Sequence, residues 1–361
     1  MGGLVAKNPY PDRRRIAYRC VVNEQLNTSI DEIVERTNFS GAVHVSRQGT
    51  LIYERAAGFA DRAHGIANTV DTRFGTASAA KGFTALVTMS LVADGLISLD
   101  TRVRDVVGEL LPEIDPAVTV RHLLTHTSGI GDYLDEGLLD DIDGYAMPIP
   151  VHQLAAIADY VVILGGHPMR YPIGERFEYN NSGFVVLSLI AEMVSGSTFY
   201  DLVAERVCRP AGMAATAFLR NDELPGTVAF GYVRVGDVWR TNLFHLPVRG
   251  SGDGGLTSTL ADFANFWPAL FSGSILPVEM VDEMVREHVG DAGESRRYGL
   301  GFWLRSDRQT VMLEGYDAGI SFRSASDRTS ELLFTVVSNT SAGAWPIARL
   351  LGDRLPGLAD G

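Results

Sequence analysis

At 361 residues, 46% hydrophobic and 21% charged, the chain has the make-up of a folded globular protein, not of a disordered or fibrous one. Its length exceeds one ordinary hydrophobic core, so two subdomains meeting at a cleft are expected. The formal net charge of −13 argues against nucleic acid and anionic membrane as partners, because both attract basic surfaces.

Residues 1–27 read as an N-terminal extension. Arg13, Arg14 and Arg15 are followed by no uninterrupted apolar stretch, so neither a secretory nor a twin-arginine signal is expected and the reading is cytoplasmic. No apolar run reaches the ~20 residues of a membrane span. The two cysteines, Cys20 and Cys208, share no metal-ligand spacing and define no disulfide framework.

Ser29-Ile30-Asp31-Glu32 has the form of a capping box, and Ile30, Ile33 and Val34 share a helical face, which predicts a helix over 30–37. Residues 42–47 and 51–57 are β-rich runs joined by Gln48-Gly49-Thr50, a predicted antiparallel hairpin. Residues 81–95 are apolar nearly all round, as in a helix buried on most sides, and Gly95 ends it. Further helices are predicted near 120–124, 153–162, 184–194 and 200–207, giving a helical middle. A helix over 260–270 precedes β-rich runs at 298–304, 310–313, 320–324 and 331–337, and residues 344–355 read as a closing helix. The expected class is therefore α+β. An antiparallel sheet flanked by helices is drawn from both chain ends, 28–75 and 245–361, and interrupted by a mainly helical subdomain over 76–244.

Lysine usage singles out one stretch. Of 31 basic residues only Lys7 and Lys81 are lysine. A buried amine can lose its proton, whereas a guanidinium cannot. A helix starting near Ser78 places Ser78 and Lys81 one turn apart on the same face. Ser78 is then a candidate nucleophile and Lys81 its base, with the Ser78 N–H available to a developing oxyanion. A bare Ser-x-x-Lys equally describes a solvated helical turn. Tyr179-Asn180-Asn181 precedes a buried helix, where a loop tip would project into a cleft. The Tyr179 phenol could relay a proton there, and the Asn181 amide could anchor the lysine and a substrate carbonyl. A core tyrosine followed by capping asparagines fits the same letters.

Taken together, these stretches resemble the serine β-lactamase and penicillin-binding protein superfamily, in its class C-like branch. Ser78-Ala79-Ala80-Lys81, with its lead-in Thr72-Arg73-Phe74-Gly75-Thr76-Ala77, is similar to the first motif. Tyr171-Pro172-Ile173-Gly174 through Tyr179-Asn180-Asn181 is similar to the second, Tyr-x-Asn. Leu123-Leu124-Thr125-His126-Thr127-Ser128-Gly129-Ile130, Gly254-Gly255-Leu256-Thr257-Ser258 and Tyr298-Gly299-Leu300-Gly301 resemble further signatures, so the likeness covers about residue 30 to about residue 340.

The resemblance implies a β-lactamase/transpeptidase-like fold and a serine hydrolase without cofactor or metal. Its acyl-enzyme would form on Ser78, with Lys81 and Tyr179 moving protons and Asn181 orienting Lys81 and a small ester, amide or lactam substrate. His126 is then expected in a structural loop. The family's third motif, Lys-Thr-Gly or His-x-Gly, has Tyr316-Asp317-Ala318-Gly319 as its counterpart. The cation that helps hold a substrate carboxylate is absent, which points to an esterase or amidase. Two alternatives stay open: a β-lactamase or D-amino-acid peptidase with an arginine supplied from elsewhere, and a binding module without catalysis. Gly319 N–H is expected in the oxyanion hole, with Tyr316, Asp317 and Tyr133 along the substrate and Tyr145 and Trp239 as further lining. Oligomeric state is not encoded in any of these features.

Overall fold

The computed structural model describes residues 13–139, 141–290, 296–305 and 309–359, with backbone alone for 13–23, 138, 296 and 354–359. In chain order its principal elements begin with α1 (Arg13–Thr37), β1 (Gly41–Arg47) and β2 (Thr50–Ala57). Two buried helices follow, α2 (Ala80–Ala93) and α3 (Asn181–Ser195), then α4 (Leu260–Phe271). The chain closes with β3 (Val289–Gly290), β4 (Arg296–Tyr298), β5 (Trp303–Arg305), β6 (Thr310–Asp317), β7 (Ile320–Asp327), β8 (Leu332–Ser338) and α5 (Trp345–Ala359).

The strands form one eight-stranded sheet in the order β2-β1-β8-β7-β6-β5-β4-β3, and each neighbouring pair is antiparallel. The N-terminal and C-terminal parts of the chain join in this sheet, where β1, next to the edge strand β2, pairs with β8 from Gly41↔Ser338 to Arg47↔Leu332. Both faces of the sheet are covered, so β1 and β8 are buried almost throughout. Successive side chains divide between the faces, as strand geometry requires. Val43, Val45, Phe334 and Val336 pack with Leu26, Ile30 and Val34 of α1 and Ile347 and Leu351 of α5. Ala42, Leu333 and Val337 turn to the other side, against the large core that holds α2, α3 and α4.

Aromatic rings carry that second core. Phe83 of α2 stacks on Phe266 of α4 at 5.1 Å, and Phe263 meets Phe322 of β7 at 4.7 Å. Trp267 donates its Nε1–H to Ser324 Oγ at 2.8 Å, satisfying the one polar atom that its burial would otherwise orphan. Because α2 lies between the sheet and α3, all of its residues from Ala80 to Leu91 are buried. This is why its sequence is apolar on every side.

Several elements differ from expectation for identifiable reasons. The predicted helix over 30–37 is the end of the much longer α1, which runs through the expected boundary at residue 28. Ser29 is no cap, because its hydroxyl bonds back to Gln25 O at 2.9 Å inside the helix. Residues 1–12 of the expected extension lie outside the described residues. The run 298–304 is two strands, β4 and β5, reversed at Gly301 with φ +82°. The stretch 153–162 holds short 3-10 turns, Val151–Gln153 and Ile157–Tyr160, followed by a helical turn at Val161–Leu164. The helix near 200–207 is Phe199–Val203, continued as a π turn over Ala204–Cys208.

Phe83 is fully buried and wedged between α4 and the body of α2. We expect Phe83→Ala to lower unfolding free energy by about 3–5 kcal/mol, as large aromatic deletions in packed cores do. Urea denaturation measures this, and a loss below about 1 kcal/mol would contradict the packing described.

Candidate active site

Ser78 lies in a 3-10 turn, Ala77–Ala79, that leads directly into α2. Its predecessor Ala77 is buried and held at φ +47°, a conformation that costs a non-glycine residue energy and that surrounding packing must enforce. The turn is braced by β6. A Cβ on Gly315 would collide with Thr76 O and stand 3.0 Å from Ser78 N, so the strand approaches the nucleophile turn as closely as only glycine permits.

Lys81 is 2% exposed, and its Nζ has three neighbours. They are Ser78 Oγ at 2.9 Å, Asn181 Oδ1 at 2.7 Å and Asp253 O at 2.8 Å. The amide of Asn181 is oriented by its other end, because Nδ2 donates to Leu134 O at 2.8 Å and to Glu136 Oε1 at 3.2 Å. Its Oδ1 must then be the atom facing Lys81. Two of the amine's neighbours are thus oxygens that can only accept. A neutral amine has two N–H bonds to give and one lone pair, so the lone pair is left for the Ser78 hydroxyl. Burial holds the Lys81 pKa below its ordinary value, opposed by the charges of Asp253, Glu136, Asp132 and Asp317.

The third neighbour comes from the loop Gly250-Ser251-Gly252-Asp253-Gly254-Gly255, threaded between α2 and α3. A Cβ on Gly252 would strike Phe184 O of α3, and Thr84 Oγ1 of α2 donates to Gly252 O at 2.6 Å. The Asp253 carboxylate accepts from Tyr133 at 2.5 Å and from Ser251 at 2.6 Å, which fixes the carbonyl that faces Lys81.

The N-terminus of α3 is bound from two sides. Asn180 caps it by accepting from Gly183 N at 2.7 Å, and Asp132 accepts from Asn181 N at 2.8 Å and Ser182 N at 2.9 Å. Burial raises Asp132 to about 6 although these donors pull the other way. The ring of Tyr179 lies 4.9 Å from Lys81 Nζ, and burial raises the pKa of its phenol well above the ordinary value, with Ser78 opposing. His126 is buried 4.5 Å beneath the Tyr179 ring and accepts the Asn180 N–H at Nδ1, 3.0 Å away. Burial, reinforced by Lys81, holds its pKa well below normal, so His126 is a neutral support for the Tyr179 loop.

Among the remaining expected site residues, Tyr133, Tyr145, Tyr316 and Asp317 line one cavity with Ser78 and Asn181. The Tyr133 hydroxyl is committed to Asp253. Tyr316 is half-exposed and meets Trp345 edge-on at 6.0 Å. Two expectations are corrected. Gly319 donates its N–H to Ser341 Oγ at 2.7 Å and packs against Tyr232, so that N–H is unavailable to an oxyanion. Trp239 stacks under Arg62 at 4.3 Å and stands apart from the lining of the cavity. Sequence reasoning missed Asp253, Glu136, Gly315 and Asp132. Only the glycine density around Asp253 hinted at a backbone pressed against other backbone.

The open edge of β6 offers a replacement for Gly319. β5 pairs with β6 only at Val311 and Met312, so on the side away from β7 residues 313–317 have no strand beside them among the described residues. Glu314, Gly315 and Tyr316 share a groove with Ser78 and Tyr179.

Comparison with known proteins matches this geometry to a family. The profile described as Beta-lactamase matches residues 26–351. Esterase EstB of Burkholderia gladioli is 29% identical over 308 residues, 77% of this chain and 78% of that protein. A penicillin-binding protein of Bacillus subtilis (strain 168) is 25% identical over 311 residues, 82% of this chain and 66% of that protein. Among solved structures, a penicillin-binding protein from Bacillus halodurans superposes with TM-score 0.84 at 36% identity, covering 90% of this chain and 99% of that one.

Asp317 carries a cost that can be measured. Burial, with repulsion from Glu136 and Asp253, raises its carboxyl to about 7, so the folded state prefers the protonated form. That preference costs nothing below the unfolded value, grows as pH rises from about 4 and is complete above about 7. Asp317→Asn should therefore stabilise the protein by on the order of 1 kcal/mol or more near pH 8 and leave it unchanged near pH 4. Melting curves at the two pH values check this, and an equal effect at both would contradict it.

Proposed function

The chain belongs to the beta-lactamase family, and we propose that it is a serine hydrolase that cleaves an ester or amide through an acyl-enzyme on Ser78. The observation that carries this reading is the placement of Lys81, whose amine meets two obligate acceptors and one hydroxyl at 2.7–2.9 Å. Ser78 Oγ attacks the substrate carbonyl carbon and its proton passes to Lys81 Nζ. The carbonyl π electrons move to oxygen, where Ser78 N–H and the edge of β6 near Gly315 hold the developing charge. When the tetrahedral adduct collapses, the bond to the leaving alcohol or amine breaks. The proton held by Lys81 reaches that group through Tyr179. Water then attacks the Ser78 ester, releasing the acid and restoring the hydroxyl.

Asn181 orients the amine and stands in the cavity wall, with its own amide committed to Lys81, Leu134 and Glu136. The replacement of the family's third-motif cation by Tyr316 and Asp317 favours esters and amides that present no carboxylate at this position. A β-lactam or a free peptide carboxyl end would face Asp317 instead of a lysine.

Incubation with activated esters, followed by intact-mass measurement, should show one acyl group added to the wild type and none to Ser78→Ala. Lys81→Arg should keep its fold and lose about 10²- to 10⁴-fold in acylation rate, since a guanidinium cannot act as the base. Equal acylation of Ser78→Ala, or a Lys81→Arg variant as fast as wild type, would overturn the reading.

A further inference from the structure

Carboxylates surround this cleft, and they fall into two groups. Asp135 pairs with Arg170 at 2.6 Å, Glu178 with Arg170 and Arg176 at 3.0 Å, and Glu314 with Arg323 at 2.6 Å. Three carboxylates line the cavity beside Ser78, those of Glu136, Asp253 and Asp317, and none forms an ion pair among the described residues; Asp253 accepts instead from Tyr133 and Ser251. No Lys or Arg stands in that lining among the described residues. Lys81 lies behind Ser78, and its amine is already committed to three neighbours. Glu136 and Asp317 thus have neither a cation beside them in that lining nor the pair of hydroxyl donors that holds Asp253.

A second observation comes from a different element. The Tyr145 hydroxyl oxygen is buried yet has no hydrogen-bond partner, and Tyr145 lines the same cavity. Its neighbour His245 is turned by a 3.0 Å bond from Nδ1 to Tyr145 O, and it too stands in the lining. A buried hydroxyl without a partner is costly unless a ligand group meets it.

We propose that the Ser78 cavity selects acyl donors bearing an ammonium group, such as aminoacyl esters or amides, which Glu136 and Asp317 bind by charge and the Tyr145 hydroxyl by a hydrogen bond. This rests on the acyl-enzyme reading and adds the charge class of the substrate to it. A carboxylate-bearing donor is repelled by the same pair, the reverse of what a third-motif lysine would do.

The electrostatics support the assignment. Burial raises Glu136, and burial with repulsion from Glu136 and Asp253 raises Asp317 to about 7, with Lys81 opposing. The charges of Glu136, Asp253 and Lys81 act on Asp317, and the charge of Asp317 acts in turn on Tyr145. A bound ammonium would favour the ionised carboxylates. It would also offset the pull by which Asp253, Glu136, Asp132 and Asp317 hold a proton on Lys81. Substrate binding and base activation are then coupled through one charge. Binding of the ammonium form strengthens as pH rises through about 7, because Asp317 must be ionised to pair with it.

The test uses matched p-nitroanilides of D- and L-alanine, their N-acetyl twins and their N-succinyl twins, with kcat and KM measured near pH 8 and near pH 5.5. The ammonium-bearing donor of the better enantiomer should exceed its N-acetyl twin in kcat/KM by about tenfold or more near pH 8, with the ratio falling near pH 5.5. The succinyl twin should be slowest. Glu136→Gln and Asp317→Asn should each reduce the ratio severalfold, mainly through KM for the ammonium form. Should either variant fail to fold, the wild-type series decides. A neutral or succinyl twin that acylates Ser78 as fast as the ammonium form overturns the charge assignment and leaves the acyl-enzyme intact. Failure of every donor to acylate Ser78 by intact mass overturns both.

Discussion

A primary amine taken out of water must be paired with an anion or give up its proton, because burying an isolated ammonium is far costlier than burying the free base. Lys81 meets that constraint with a hydroxyl and two carbonyl-type oxygens as its hydrogen-bond neighbours. Each of those oxygens is held from behind. Leu134 O and Glu136 orient the Asn181 amide, while Tyr133 and Ser251 anchor the Asp253 side chain. The helix bearing Lys81 is buried from Ala80 to Leu91, with Gly82 pressed against Leu313 of β6 and α3 packed alongside. Chemistry at Ser78 therefore depends on packing from distant parts of the chain, since β1 and β8 belong to the same sheet as β6.

The second feature of the site is the sign of its charge. A cleft that binds an acid needs a cation where the acid arrives. Here the strand that borders the nucleophile ends in Tyr316 and Asp317, and Glu136 enters from the short 3-10 turn Glu136–Leu138. Arginines pair with Asp135, Glu178 and Glu314 outside this cavity, and Glu136 and Asp317 have no ion pair among the described residues. Asp317 lowers the stability of the folded protein wherever its unfolded-state carboxyl would be ionised. Such a residue resembles other polar groups kept at functional sites against their energetic interest.

Much of this arrangement was legible in the residues themselves. The hairpin at β1 and β2, the all-round apolar α2, the helix of α3 and the β-rich runs of the C-terminal sheet follow from residue pattern. The scarcity of lysine marked Lys81 before any geometry was known. The parts that were not legible have a common cause. Asp253 contributes a backbone carbonyl, which every residue possesses, so no letter announces it. Glu136 lies in a stretch crowded with acids, and only the fold decides that Asp135 turns out to Arg170 while Glu136 turns in. Gly319 occupies a plausible place in a motif, but Ser341, distant in sequence, takes its N–H. The capping-box letters at Ser29 are real, yet α1 continues through them.

The protonation state of Lys81 is the claim on which the rest turns, and the composition makes it unusually accessible. Only two of the chain's residues are lysine, so protein labelled with 13C at lysine Cε gives two resonances, and Lys81→Arg assigns them by loss. Titrating their chemical shifts by NMR should show the Lys81 signal changing below the ordinary lysine value of about 10.4, in the direction that burial dictates. A Lys81 resonance that titrates at or above that value would mean a buried ammonium held by the surrounding carboxylates, and would contradict the account of Lys81 as the base.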